Sequence, residues 1–221
     1  MLPTVELLHE QFVLLSPEDR IRQFYETFGH LKVMVTSSFG TSSLYLLHLL
    51  HKVNPEQEIY FINTGYLFQE TLAYKEQLQK LFGLKIKDVN PDPHHHAYTT
   101  YNKTWEKDPD LCCSVNKVLP FEAVKRQYDW WVAGLVGQQN QFRSSLKIFE
   151  KKDGILKFHP LVDVEMAAIQ QFIKETGLPQ HPLAQWGYGS VGCTHCTKQG
   201  EGREGRWAGK AKSECGLHLA S

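Results

Sequence analysis

The sequence predicts a doubly wound α/β domain, a mainly parallel sheet with helices on both faces, extended by a mobile C-terminal tail. Short apolar runs alternate with helix-patterned segments along most of the chain. A Ser/Gly-rich loop stands between the first apolar run and its helix, the place where parallel sheets bind ligands. The 221 residues, 42% of them apolar, suffice for one buried core but not for two large domains.

Ser16-Pro17-Glu18-Asp19 is a helix start, because serine caps, proline suits the first turn and acids complement the helix dipole. Residues 31–36 read as a buried strand, followed by the loop and a helical run over 44–52. A second strand over 58–62 leads through Asn63-Thr64-Gly65 into a helix over 69–82. Residues 84–89 form a third strand, less apolar because Lys and Asp interrupt it. Helix and strand signals recur over 117–127 and 130–135, with Trp130 and Trp131 filling the core. A strand over 155–158 precedes a helix over 164–175. His94-His95-His96 reads as a polar loop. After Leu178, Gly, aromatic and basic residues replace the periodic pattern, dividing the chain into a body (1–196) and a tail (197–221). Between Thr197 and Lys212 five basic residues face two acidic ones, interrupted by glycines 200, 202, 205 and 209.

The 24 basic and 24 acidic residues balance, which disfavours a general nucleic-acid binder, so a polyanion site must be local. The most apolar stretch, 44–50, contains His48 and falls far short of the roughly 20 apolar residues of a membrane span. The N-terminus lacks a secretory or Arg-rich transit pattern, and a cytoplasmic location is expected.

Three constellations carry chemistry. In Ser38-Phe39-Gly40-Thr41-Ser42-Ser43, free amides and hydroxyls can surround an oxyanion, although such turns also serve as plain caps. The segment lacks the Walker and dinucleotide spacings. Secondly, the five cysteines are an odd number, and cytosolic disulfides are rare, so metal binding or catalysis leads. Adjacent Cys112 and Cys113 have Cα atoms about 3.8 Å apart, below the usual disulfide range of about 4.4–6.8 Å. Their side chains diverge, which suits the separate irons of a [4Fe–4S] cluster better than one zinc ion; Cys193 and Cys196 complete the set. Four buried thiols are the plainer alternative. Thirdly, Cys215 lies among Lys210, Lys212 and arginines that favour a thiolate, and beside Gly216. It suits a nucleophile on a closing tail, or is an incidental cysteine. Lys117, four residues after Cys113, would share a face with that ligand in a helix.

Cys112-Cys113, Cys193-Thr194-His195-Cys196 and Ser213-Glu214-Cys215-Gly216-Leu217-His218 together resemble the iron–sulfur branch of the thioredoxin-dependent adenylyl-sulfate (APS) and phosphoadenylyl-sulfate (PAPS) reductases. The resemblance runs from the Ser38 loop through residues 63–71 to the tail. It implies an adenine-nucleotide alpha-hydrolase-like fold and one [4Fe–4S] cluster. It also implies attack by Cys215 on the sulfuryl sulfur of APS, giving AMP and an S-sulfocysteine that a thioredoxin- or glutaredoxin-like thiol resolves to sulfite. Ser38, Gly40 and Ser42 would line the nucleotide loop; Lys117, Arg143, Arg203 and Arg206 would hold the substrate's anionic end. Val136 and Gly137 replace an Arg-Arg pair common in relatives, and Asn63 replaces an Asp. PAPS is the alternative substrate; an ATP-pyrophosphatase or a non-catalytic iron–sulfur sensor are more distant readings. No membrane or nucleic-acid partner is expected, and the oligomeric state, a homo-oligomer included, stays open.

Overall fold

Six strands form one sheet in the order β3-β2-β1-β4-β6-β5. They are β1 (Val33–Thr36), β2 (Glu58–Ile62), β3 (Lys85–Val89), β4 (Trp130–Ala133), β5 (Phe149–Lys152) and β6 (Ile155–Phe158). They belong to a computed structural model that describes residues 3–210 and 212–218; residues 1–2, 211 and 219–221, parts of the expected body and tail, lie outside the described residues. Every pairing is parallel except β5 with β6. Val35 of β1 is in register with Ile59 on one side and Val132 on the other, so β1 lies inside the sheet. Strand order reverses between β1 and β4, which opens a crevice at their carboxyl ends.

The helices are α1 (Val5–Phe12), α2 (Pro17–Phe28), α3 (Ser43–Val53), α4 (Gln69–Phe82), α5 (Pro93–Tyr101), α6 (Thr104–Lys107), α7 (Pro109–Cys113), α8 (Leu119–Lys125), α9 (Gln141–Ser144) and α10 (Met166–Thr176). Ser16 caps α2 as its sequence implies, its Oγ accepting the Asp19 N–H at 3.2 Å. Side chains alternate across the sheet. Trp130 and Val132 join Phe24, Phe28 and Leu47 on one face. Trp131 and Ala133 join Met34, Tyr60 and Phe121 on the other. Both tryptophans are buried, as expected of core residues. No helix among the described residues is long and apolar enough to cross a membrane.

The structure departs from the expected elements at identifiable places. β5 went unpredicted because Phe-Glu-Lys-Lys lacks apolar alternation; it is an edge strand turned back by Asp153-Gly154, both with positive φ (53° and 76°). The histidine triplet is helical: Pro93 opens α5, and Asp92 Oδ1 accepts the N–H groups of His94 (3.0 Å) and His95 (3.1 Å). The helix expected from 117 is entered through α7 and a π-helical turn over Ser114–Val118 before α8. The tail, expected to be mobile, is packed in this structure. Tyr188 bridges Gly200, Thr197 bridges Arg206, and Trp207 is buried.

Candidate functional site

The crevice between β1 and β4 holds a cleft of about 140 Å³. On leaving β1 the chain turns at Phe39, whose φ of 48° is unusual for a residue with a side chain. Phe39 is fully buried with its ring edge-to-face on Phe61 at 5.5 Å, and that packing holds the turn. The amino end of α3 has no side-chain cap; its first amide, that of Ser43, donates to the Gly40 carbonyl at 3.1 Å. Ser42 Oγ instead accepts from Gln139 Nε2 at 3.1 Å, and Thr41 Oγ1 donates to the Gly189 carbonyl at 2.8 Å. Ser38, Gly40, Ser42, Lys117, Arg143, Arg203, Arg206 and Cys215 all line this one cleft. The chain thus brings together every substrate-side residue that the sequence singled out.

The three arginines there are engaged. Glu214 accepts from Arg143 Nε at 2.7 Å and from Arg203 Nη2 at 3.1 Å. Burial works to raise the Glu214 pKa, but the two guanidinium groups outweigh it and the carboxyl stays below its ordinary value. Burial, with Arg143 nearby, lowers the Arg203 pKa to about 10, still charged at neutrality. Arg206 donates to the Val191 carbonyl at 3.1 Å and lies over the Trp207 ring, 4.5 Å from its centroid. Lys210 and Lys212, expected beside the Cys215 sulfur, are tied to the Trp105 carbonyl and to Asp110. Burial lowers the Lys117 pKa, but neighbouring Cys215, Cys193 and Cys113 more than offset it, so the net shift is upward. Cys215 itself is only 6% exposed.

Cys112, Cys113, Cys193 and Cys196 line a second, smaller cavity together with Lys117, Arg206 and Trp207. Cys193, Lys117 and Arg206 border both cavities. The π-helical turn follows directly on the cysteine pair, and Asn116 within it donates to the Cys112 carbonyl at 2.9 Å. Cys193 is placed by its bridge to Leu67 and by Thr64 Oγ1, 3.2 Å from its sulfur. Burial, then the other thiols, pushes the Cys112 thiol up to about 12; burial pushes Cys113 up to about 11. Trp207 Nε1 is buried without a partner among the described residues. No group of three or more His, Cys, Asp or Glu among those residues is arranged to hold a metal ion.

The model of the phosphoadenosine phosphosulfate reductase domain matches residues 32–199, which span the sheet and all four paired cysteines, Cys112, Cys113, Cys193 and Cys196. An adenosine 5′-phosphosulfate reductase of Bacillus cereus (strain Q1) is 34% identical over 230 residues, covering 97% of this chain and 98% of that protein. The chain belongs to the APS/PAPS reductase family. A phosphoadenosine 5′-phosphosulfate reductase of Gloeobacter violaceus is likewise 34% identical over 226 residues, covering 97% and 93%. The crystal structure of a PAPS reductase from Candida auris, a phosphate complex, superposes with a TM-score of 0.76 at 24% identity over 90% of this chain and 98% of its own, which supports the fold.

As a member of the APS/PAPS reductases the chain is an oxidoreductase acting on sulfur. The two positions where the resemblance implied other residues have different weights. Asn63 Oδ1 accepts the Gly65 N–H at 3.1 Å, a turn contact that an Asp would also make. Val136 is fully buried in the core, and a Cβ on Gly137 would meet the Val162 carbonyl oxygen at 2.6 Å. No cation fits there without moving the backbone. Reading residues singly had passed over Glu214, Gln139 and Trp207. Glu214 stood in full view beside Cys215, but its partners lie 71 and 11 positions away.

Proposed function

We propose that the chain reduces APS to sulfite and AMP through Cys215. The supporting observation is the position of this cysteine: it closes the same cleft that the Ser38 loop, Lys117 and the tail arginines line. The Cys215 thiolate attacks the sulfuryl sulfur, the S–O bond to the phosphate breaks, and AMP leaves with the electron pair. A thiol of a thioredoxin-like protein then attacks the Cys215 sulfur and expels sulfite; a second thiol on that protein releases Cys215 by disulfide exchange. Because Cys215 is almost wholly buried when the tail is packed, the second attack requires the tail to lift. APS is favoured over PAPS because Arg143 and Arg203 are already paired with Glu214, and Val136-Gly137 supply no cation for a further phosphate.

The four remaining cysteines fit a polynuclear iron–sulfur group: soft donors around one cavity, three of them (Cys112, Cys113 and Cys196) thiols that burial pushes toward the protonated form unless a metal compensates their charge, and the unpartnered Trp207 N–H beside them. In this reading Cys112, Cys113, Cys193 and Cys196 hold one [4Fe–4S] cluster. It supplies an electrostatic environment that orders the site, not electrons for the attack. Lys117, bordering both cavities, faces the substrate's anionic end.

Intact mass after incubation with each sulfonucleotide, followed by peptide mapping, tests the proposal. A sulfite-sized adduct on Cys215 that forms faster from APS than from PAPS is expected. The same protein without an adduct, or a Cys215→Ser variant that releases sulfite at the parental rate, overturns it. Faster loading from PAPS reverses the choice of substrate.

A further inference from the structure

Glu214 is the only acidic residue lining the cleft among the described residues. Its side chain is nearly sealed from solvent and accepts four hydrogen bonds. Oε2 takes Arg143 Nε at 2.7 Å and Asn140 Nδ2 at 3.3 Å; Oε1 takes Arg203 Nη2 at 3.1 Å and the backbone N–H of Cys215 at 3.1 Å. Arg143 and Asn140 come from the segment after β4, whereas Arg203 and Cys215 belong to the tail. One carboxylate therefore joins body to tail and grips the backbone of the cysteine next to it. A buried acid with two guanidinium partners cannot leave or lose its charge without stranding both.

We propose that Glu214 is a positioning residue, a latch that holds the tail over the cleft by bridging Arg143 to Arg203 and so presents Cys215 before any substrate arrives. Lifting the tail breaks the Arg143 pair and the Asn140 hydrogen bond, while the Arg203 pair, which lies within the tail, holds the carboxylate aimed at the body; the latch thus sets how often the Cys215 sulfur is reachable from outside. The inference gives the proposed nucleophile its placement and rests on that reading for its catalytic meaning. Its structural content is tested without substrate.

The full-length protein, free of nucleotide, is treated with iodoacetamide, and alkylation of the tail peptide carrying Cys215 is followed by mass. Glu214→Gln keeps the size and loses the charge, and alkylation is expected to rise about tenfold or more, by the same factor across the neutral to alkaline range, as an opening equilibrium demands. Glu214→Asp keeps the charge on a shorter arm and should give an intermediate rate, a partial rescue that a space-filling role would not produce. An unchanged rate in Glu214→Gln overturns the latch. So does a displaced pH profile with no uniform increase, because Glu214 would then act on the thiol's ionisation. If Glu214→Gln shows no cooperative thermal transition, Glu214→Asp decides alone: a rate above the parent supports the latch and the parental rate overturns it. Absence of an S-sulfo adduct in the earlier experiment leaves these outcomes readable, since no sulfonucleotide takes part.

Discussion

Arg20 shows how one side chain can tie three parts of the fold. It is 3% exposed and donates to the carbonyls of Phe12, Val13 and Pro160 and, through Nη2, to Asp163 Oδ2 at 2.8 Å. Removing the acid leaves a buried guanidinium one charged partner short. Asp163→Asn should therefore cost about 1–2 kcal/mol at neutral pH, measured by urea unfolding, since the carboxylate side of the pair is partly screened by solvent. Burial raises the Asp163 pKa, but Arg20 outweighs it, so the folded value lies below the ordinary 3.8. With a depressed folded value, the gain is fully present above the unfolded pKa and is lost as pH falls through the folded one. The difference between parent and variant should shrink below about pH 4; a constant difference down to strong acid contradicts this. The cysteines were legible at this scale because thiol chemistry belongs to the side chain itself. Glu214 was not, since its role comes from guanidinium groups that only folding brings near.

Elements were legible where pattern and packing agree. The strand over 58–62 and the helix over 69–82 lie where periodicity puts them. The strand expected to reach residue 135 stops at Ala133, because Gly134 and Leu135 turn into the cleft. The π-helical turn has no signature in Ser-Val-Asn-Lys-Val; it is held by Asn116, whose amide reaches the Cys112 carbonyl and Thr99. Gly137 begins the short turn Gly137–Gln139 that carries Gln139 to the cleft and leads into α9 with Arg143, and its N–H donates to the Val162 carbonyl at 2.7 Å. Gly137→Ala forces a Cβ against that carbonyl and should cost about 1–3 kcal/mol. Because Arg143 follows directly in α9, KM for the sulfonucleotide should rise more than kcat falls. Parental stability and KM would show that the turn yields without disturbing Arg143.

At the scale of the molecule, two cavities share a wall made of Cys193, Lys117 and Arg206, the residues through which the proposed metal group would act on the cleft. The four thiols around the smaller cavity come from α7 and from the 193–196 turn, far apart in sequence, so the proposed metal group would tie the two together and contribute to folding. Anaerobically prepared protein is expected to be brown, and removal of iron should bleach it and lower Tm by at least about 5 °C. Stoichiometric zinc without iron contradicts the cluster, and an unchanged Tm contradicts its structural contribution. The sequence by itself determined the α/β class, the strand-end loop and the reactive residue types, because apolar periodicity and side-chain chemistry are local properties. Tertiary structure alone decided that eight distant residues share one cleft, that a side chain at Gly137 would run into the Val162 carbonyl, and that the tail is fastened by Glu214. Those facts depend on which strand ends meet where the sheet order reverses, and spacing along the chain does not carry that distance.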